Sequence, residues 1–333
     1  MEKPDRIPLF YQHLGGATRV AQSCGKTIHD GMHDPAVFAE ITLAAHKMFG
    51  FDNVMAGWGD LLVEAQALGT KWKFPEGDFY PRVDAYAIQT PADFDKIQPV
   101  DPMKDPFWSV PLKAATILKE KVGDDVAIVG NICSPTEVAG QLMGLDKLVM
   151  YMMKKPDDVD NVMFAVVDSL NMYADCIKEI GLESIFIEDA SAGADLMSPA
   201  LCKQFDINYL KQVLDHCRSL GLKTIVHNCA AKPYLDQQAA LKPDAIHFYN
   251  TQVDLDKVFS SYRGKMCIIS GVDHAELLFR HTPDEVASEV KRVIDLFGKN
   301  PGFMLAPGCE MPFKVPQENV DRFKETVESQ GVY

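Results

Sequence analysis

The sequence lacks long apolar runs and an apolar leader. No stretch approaches the roughly 18 apolar residues that a membrane-spanning helix requires, and the chain begins MEKPDRIPLF, which is polar and interrupted by prolines. These absences exclude a membrane-spanning helix and argue against a secretory signal peptide. We therefore expect a cytoplasmic protein.

Positive charge is scarce as well. The 333 residues contain 33 Lys and Arg against 47 Asp and Glu, which gives a formal net charge of -14. Nucleic acid and anionic membrane surfaces would repel such a protein, so we expect neither as a partner. The net charge does not restrict the charge of a small substrate, because a local pocket can have the opposite sign to the protein as a whole.

Internal repeats, low-complexity stretches and linkers are missing too. The length and the 47% hydrophobic content suit one large domain over residues 1–333, with residues 1 to about 50 as a capping segment within it. Eight cysteines in a cytoplasmic chain of this length are not a disulfide framework. We expect Cys176, Cys217 and Cys267 to be small buried hydrophobic residues.

What the sequence does have is an alternation of short apolar runs with amphipathic helical patterns. Near-continuous apolar strands separated by helices are typical of a parallel sheet covered by helices. The pattern predicts an α/β fold, a (β/α)8 TIM-type barrel with additional N-terminal helices and loops. Seven strands are assigned and the eighth is not located. The assigned runs are residues 51–55, 126–132, 184–188, 223–227, 245–249, 266–271 and 302–306.

Residue types that can bind a metal lie at or just after the ends of two of these runs. His227 and Cys229 are two positions apart at the end of one run, so their side chains point to the same side of the strand. Cys309 follows the last run in the same manner. The carboxyl ends of the strands hold the active site in barrels of this kind, and the fold would bring all three residues to that rim.

One histidine and two cysteines form a ligand set suited to zinc. Three protein ligands with an open fourth position are typical of a catalytic site. Two thiolates would neutralise the charge of Zn²⁺, and a substrate thiol bound there would lose its proton at neutral pH. The alternatives are that His227 and Cys229 are an ordinary strand end and that Cys309 is a buried loop thiol.

At these residues the sequence resembles the uroporphyrinogen decarboxylase superfamily, specifically its cobalamin-dependent methyltransferase branch. The similarity extends over nearly the whole chain, and its specific element is the pair His227 and Cys229 with the distant Cys309. The stretches that carry the resemblance are residues 60–69, 188–193 with 197–199, 227–229, 271–278 and 306–312.

The resemblance implies a fold, an activity and partners. The fold is a (β/α)8 barrel in which His227, Cys229 and Cys309 bind Zn²⁺. Members of this branch take a methyl group from methylcobalamin or a related corrinoid, usually carried on a separate protein. They pass it to coenzyme M, another thiol or tetrahydrofolate. We therefore expect a corrinoid protein and a small-molecule methyl acceptor as partners, and we leave a homo-oligomer open.

Several positions depart from the pattern that is usual in this branch. Ala230 follows the His-x-Cys pair where glycine is usual, and Asn250 stands near a strand end where an acidic residue is common. The loops at residues 133–136 and 270–274 differ as well. The three metal ligands are unaffected. Because these loops line the pocket, the departures bear on which acceptor is used.

Other candidate site residues lie near the ends of the runs. Glu188, Asp189 and Asp273 are predicted to be catalytic, by orienting the substrate or by hydrogen-bonding a zinc ligand, with helix capping or ion pairing as the alternative. Met55 and Trp58 are predicted to cover the flat face of the corrinoid, with core packing as the alternative.

Two rival functions remain. A uroporphyrinogen decarboxylase would need arginines for a substrate with many carboxylates. The arginine-rich N-terminal motif of those enzymes is replaced here by residues 13–19, which contain Arg19 alone. A non-catalytic corrinoid- or metal-binding protein would have a structural zinc with four protein ligands, the fourth being Glu310, Asp254 or His247.

Overall fold

The computed structural model describes residues 4–12, 17–57, 59, 62–77, 80–249, 253–297 and 301–333. Its strands are β1 (Asn53–Ala56), β2 (Lys71–Lys73), β3 (Arg82–Ala85), β4 (Ala127–Cys133), β5 (Ser184–Glu188), β6 (Lys223–Asn228), β7 (Ala245–Phe248), β8 (Cys267–Val272) and β9 (Phe303–Pro307). Its α-helices are α1 (Ala17–Ser23), α2 (Ile28–His33), α3 (Pro35–Phe49), α4 (Val63–Ala67), α5 (Ser109–Val122), α6 (Pro135–Met143), α7 (Leu145–Lys154), α8 (Pro156–Ile180), α9 (Pro199–Cys202), α10 (Asn208–Ser219), α11 (Leu235–Ala239), α12 (Leu255–Tyr262), α13 (Leu277–Arg280), α14 (Pro283–Phe297) and α15 (Gln317–Gln330). A 3₁₀-helix spans Pro91–Lys96 and a π-helical turn spans Lys203–Ile207.

Seven strands form one parallel sheet whose order follows the chain, β1-β4-β5-β6-β7-β8-β9. Helices connect successive strands, and the sheet curls as in a TIM-type barrel, so the predicted α/β barrel class is confirmed. All seven predicted runs are strands, with ends shifted by no more than two residues. The strands β2 and β3 form a separate antiparallel ribbon.

The position of the missing eighth strand is taken by residues 8–10, near the N-terminus. Leu9 forms a parallel bridge with Leu305 of β9, and the amide of Phe10 donates to the Leu305 carbonyl at 3.0 Å. On the other side, the amide of Asp52 donates to the Leu9 carbonyl at 2.9 Å. This segment therefore joins β9 to the start of β1 and links the two edges of the sheet.

The local signals in the sequence explain why the helices begin and end where they do. Ser134 accepts a hydrogen bond from the amide of Glu137 at the start of α6, and Ser198 does the same for Leu201 at the start of α9. Thr282 caps α14 in a reciprocal exchange with Glu285. Gly181, with φ +82°, ends α8, because the left-handed conformation at that point suits glycine.

The barrel interior contains an apolar layer followed by a polar one. The apolar layer consists of Phe10, Met55, Val129, Phe186, Ile225, Ala245, Cys267, Ile269 and Ala306. Two positions further along their strands, toward the carboxyl ends, lie Asn131, Glu188, His227 and His247. Because alternate strand residues face the same side, these buried polar side chains form the floor of the barrel mouth.

The remaining residues that sequence analysis singled out differ in how deeply they are buried. Met55 is 2% exposed within the apolar layer, and Trp58 lies outside the described residues. All eight cysteines are free thiols; Cys217 and Cys267 are buried, whereas Cys176 is half-buried. Among the residues that the structure describes, no helix combines the length and apolarity needed to cross a membrane.

Candidate metal centre

His227 lies near the carboxyl end of β6, between two other inward-facing side chains. It pairs with Glu188 on β5 and with His247 on β7 in the register of the sheet. Its ring stacks on Phe186 of the layer below, with centroids 5.5 Å apart, and the side chain is 1% exposed. The imidazole is therefore held by packing on several sides.

Cys229 follows β6 in a turn that is stabilised by hydrogen bonds of the Asn228 side chain. The side-chain oxygen of Asn228 accepts from the amide of Ala230 at 2.9 Å, which closes a turn around Cys229. The nitrogen of the same side-chain amide donates to the Ala192 carbonyl at 2.9 Å and to Oε1 of Gln238 at 3.0 Å.

Gln238, on α11, is hydrogen-bonded to both Asn228 and Asp189. Its Nε2 donates to Oδ2 of Asp189 at 2.8 Å, and both side chains are buried. Buried amides and carboxylates that satisfy one another have one preferred arrangement. Asp189, Gln238 and Asn228 therefore form a chain of hydrogen bonds, called here the Asn228 relay, that determines where Cys229 lies.

Cys309 lies just beyond β9 and is held by backbone and side-chain contacts. The amide of Gly308 donates to the Val272 carbonyl at 2.9 Å, which ties the loop to β8. Nε2 of Gln12 donates to Sγ of Cys309 at 3.3 Å. Gln12 follows the segment that fills the eighth position of the barrel, so the closure of the barrel also brings this amide to the site.

The three predicted ligand residues come together. One ligand atom from each of His227, Cys229 and Cys309 lies within 4.8 Å of the other two, and Nε2 of His227 is 3.9 Å from Sγ of Cys309. Tetrahedral zinc with bonds of about 2.0–2.3 Å separates its ligands by about 3.5 Å, so small side-chain rotations suffice. The donor set and its spacing fit a zinc ion with an open position.

The electrostatics of the pair of cysteines agree with a site for a cation. A hydrogen bond with Cys309, followed by burial and the negative charge of Cys309, raises the pKa of Cys229; the charges of Glu137 and Glu188 act in the same direction. A divalent cation reverses this effect, because it stabilises both thiolates.

Within the described residues, the group of three does not extend to the predicted fourth ligands. His247 is fully buried, and its Nε2 lies 2.9 Å from the Pro307 carbonyl. Burial lowers the pKa of His247 to about 3, so the ring is neutral and donates this hydrogen bond. Asp254 caps α12 by accepting from the Lys257 amide at 3.1 Å, and Glu310 accepts from the Tyr80 hydroxyl.

The predicted catalytic acids have different surroundings. Glu188 is 5% exposed beside His227 and accepts from Nδ2 of Asn131 at 2.9 Å. Asp189 points away from the ligands: besides Gln238, it accepts from the amide of Ser191 at 3.1 Å, and burial raises its pKa. Asp189 is therefore connected to the turn at Cys229 through the Asn228 relay.

Asp273 caps a turn instead of joining the three ligands. It accepts from the amides of Ala275 and Glu276 at 2.8 and 2.6 Å. It also lines an acidic groove with Glu276 and Glu285 that contains none of the three candidate ligand residues. These contacts of Asp273 are those expected from the alternative interpretation, in which it caps the start of a turn or helix.

Sequence reasoning did not identify Gln12, Gln238 or Asn131 as parts of the site. Asn131 carried a usable signal, because it is a lone amide inside an apolar strand run. Gln12 and Gln238 follow no pattern in the sequence, since their positions depend on barrel closure and on the packing of α11.

The family described as Uroporphyrinogen decarboxylase (URO-D) matches residues 1–330. The chain belongs to the uroporphyrinogen decarboxylase family. The chain is 23% identical to the methylcobamide:CoM methyltransferase MtbA of Methanosarcina mazei over 96% of its length and 92% of that protein. It is 24% identical to the uroporphyrinogen decarboxylase of Aromatoleum aromaticum over 88% of its length and 82% of that protein.

A solved structure has the same fold as this URO-D family member. It is a methyltransferase from Methanosarcina mazei with a TM-score of 0.87 and 24% sequence identity, covering 98% of this chain and 95% of that one. The likeness extends along the whole barrel.

Proposed function

We propose that this protein is a zinc-dependent methyltransferase that moves a methyl group from a methylated corrinoid to an acceptor such as coenzyme M, another thiol or tetrahydrofolate. The observation that carries the proposal is the meeting of His227, Cys229 and Cys309 at the barrel mouth, with their ligand atoms within 4.8 Å of one another. The methylcobamide:CoM methyltransferase among its relatives supports the reaction class. The methyl donor then arrives on a separate corrinoid protein.

The residues of the chain perform three tasks in this reaction. His227, Cys229 and Cys309 would hold zinc, which supplies a Lewis acid that lowers the pKa of an acceptor thiol. The Asn228 relay keeps Cys229 in position, and Phe186 supports the His227 ring from below. Glu188 lies beside His227 and orients the acceptor.

The chemical step is a displacement at the methyl carbon. The acceptor thiol releases its proton to water, and its sulfur then forms a bond to the methyl carbon as the cobalt–carbon bond breaks. The electron pair of that bond stays with the cobalt of the donor. The protein contributes orientation and a deprotonated nucleophile, which together account for large rate enhancements.

The contacts of Arg19 favour this reaction over a porphyrinogen decarboxylation. A substrate with many carboxylates needs arginines that are available to it. Arg19 instead donates to the Val315 carbonyl and to Oε1 of Gln317, both at 2.7 Å. Its hydrogen-bonding capacity is used to hold the segment after β9 against α1.

Metal analysis and an acceptor comparison test the proposal. The purified protein is expected to bind about one zinc per chain, as a three-ligand site predicts. With methylcobalamin as donor, demethylation is followed by its absorbance in the presence of coenzyme M, homocysteine or tetrahydrofolate. If no acceptor takes the methyl group while uroporphyrinogen loses carbon dioxide, the protein is a decarboxylase and the proposal fails.

A further inference from the structure

Two of the three candidate ligands are cysteines whose sulfur atoms lie close together. Sγ of Cys229 and Sγ of Cys309 are within 4.8 Å of one another, and the two side chains share a hydrogen bond. A disulfide bond is about 2.0 Å long, so an approach of at most about 3 Å separates the reduced pair from a cross-link. That approach is divided between two side chains.

Both cysteines lie just beyond strands, on backbone that the barrel holds in place. Cys229 follows Asn228, the last residue of β6, whose carbonyl accepts from the amide of Tyr249 at 3.0 Å. Cys309 follows Gly308, whose amide donates to the Val272 carbonyl at 2.9 Å. The two strand ends therefore keep the sulfurs facing one another, and side-chain rotation within this frame brings them closer.

The pair is more accessible than most other cysteines of the chain. Cys229 and Cys309 are half-buried. Four of the other six cysteines are buried: Cys133, Cys202, Cys217 and Cys267. Burial raises the pKa of Cys217 and of Cys267 to about 12, so both stay protonated and unreactive at neutral pH. Oxidation of the folded protein is therefore directed toward the pair at the barrel mouth.

We propose that Cys229 and Cys309 are a redox-active pair: reduced, they bind zinc together with His227, and oxidised by a peroxide, they form a reversible disulfide that excludes the ion. This inference rests on the zinc ligands of the proposed function and adds a regulation of the same site. A disulfide has no thiolate to offer a metal, so His227 remains as the single ligand of the three. Methyl transfer then stops until the bond is reduced.

The oxidation consumes one hydrogen peroxide and no further reactant. The sulfur of Cys309, which accepts from Nε2 of Gln12 at 3.3 Å, attacks a peroxide oxygen. The O–O bond breaks, Cys309 becomes a sulfenic acid, and the first water leaves. The sulfur of Cys229 then attacks the sulfenic sulfur, the S–O bond breaks, and the thiol proton leaves with the hydroxyl group as the second water. The two sulfurs lose two electrons, which the peroxide oxygens gain.

Thiol counting and peptide mapping test the inference. Zinc-free and zinc-loaded protein are each treated with hydrogen peroxide, quenched, denatured and titrated with a thiol reagent. The untreated chain has eight thiols. We expect the zinc-free protein to lose two of them, and mass spectrometry to find the peptides of Cys229 and Cys309 joined. The zinc-loaded protein should react more slowly and release about one zinc per disulfide formed. Dithiothreitol should restore the thiols and zinc binding.

Single substitutions identify the partners of the bond. Cys309→Ala leaves Cys229 without its partner, so the disulfide should not form; Cys229→Ala tests the same point if the first variant does not fold. Cys24→Ala is the matched control, because it removes a half-buried thiol at the end of α1. The control should still lose two thiols to the bond between Cys229 and Cys309.

The inference is overturned if the zinc-free protein keeps all its thiols, if the bond joins other cysteines, or if peroxide produces sulfinic acid at the pair without a cross-link. Failure of the proposed function gives a different result, which is measured before any oxidant is added: the reduced protein binds no zinc, or it transfers no methyl group to any acceptor. The two failures are therefore distinguished.

Discussion

Sγ of Cys309 lies 3.9 Å from Nε2 of His227, although 82 positions separate the two residues in the chain. They meet because β6 and β9 run in the same direction around one barrel, so the residues at their carboxyl ends share a rim. The end of β6 and the loop after β9 supply these two residues separately, so the candidate site is complete only in the folded barrel.

Replacement of Cys309 by alanine tests the metal centre directly. Loss of one of three ligands should weaken zinc binding by more than about 100-fold, the upper range for loss of an outer partner. Competition with a chromophoric chelator measures the affinity. Cys24→Ala removes a half-buried thiol at the end of α1 and should leave zinc binding unchanged. Equal zinc affinity in both variants would contradict a role for Cys309.

The Asn228 relay predicts an effect at a distance from the metal. Gln238→Ala breaks the contacts to Asn228 and Asp189, so Cys229 should lose its preferred position. We expect zinc affinity to fall by about 10- to 100-fold and the absorption bands of the cobalt(II)-substituted protein to shift.

A substitution at a second buried amide, Asn319, serves as the control for Gln238→Ala, because it tests whether any loss of stability changes the metal site. Asn319 donates to the Leu278 and His281 carbonyls at 2.9 and 2.8 Å, and these two contacts involve none of the three candidate ligands. Asn319→Ala should lower the free energy of unfolding by about 1–3 kcal/mol, similar to Gln238→Ala, with an unchanged cobalt spectrum. If both variants alter the spectrum alike, the relay has no specific role.

Asp206 predicts a pH dependence of stability. It is fully buried in the π-helical turn near Asp189; burial, then the charge of Asp189, raises its pKa well above the usual 3.8. The folded protein therefore binds this proton more tightly than the unfolded chain. It follows that the contribution of Asp206 to the free energy of unfolding decreases as the pH rises above about 4.

Asp206→Asn removes this titration. We expect the variant to gain thermal stability relative to the wild type at pH 8, and to gain less at pH 4, where the wild-type carboxyl is protonated. Thermal unfolding at both pH values measures the difference. Asp284→Asn, at an exposed carboxylate, should give the same small change at each pH. A larger gain at pH 4 than at pH 8 would contradict a raised pKa for Asp206.

The segment that closes the barrel can be tested at Phe10. Its ring is 3% exposed, stacks on Phe186 at 5.9 Å and contacts His247 at 5.9 Å. Phe10→Ala should lower the free energy of unfolding by about 3–5 kcal/mol, because it leaves a cavity in the interior layer. Phe164→Ala, at a ring that is 50% exposed, should cost less. If chemical denaturation shows that both variants lose the same free energy of unfolding, the result would argue against a role of residues 8–10 in closing the barrel.

The strands and their order could be read from the sequence, because each buried strand is a short apolar run between helical patterns. The run at residues 184–188 matches β5 at both ends. The proximity of His227, Cys229 and Cys309 could be predicted in the same way, since parallel strands present their carboxyl ends at one rim. Their binding of zinc stays a prediction.

Neighbouring residues were harder to separate. Glu188 and Asp189 looked equivalent as acids at a strand end, yet successive side chains point to opposite faces of a strand. Glu188 therefore lies in the barrel mouth, whereas Asp189 lies behind it against Gln238. The sequence did not distinguish these roles, because the face that points inward depends on the register of the whole sheet.

Local patterning in the sequence determined the α/β class, seven of the strands and the residue types suited to a metal, because these depend on periodicity and on side-chain chemistry. The tertiary structure alone decided that residues 8–10 complete the barrel and that Gln12 reaches Cys309. Those arrangements depend on hydrogen bonds between segments almost 300 residues apart, and such bonds leave no periodic signal in the chain.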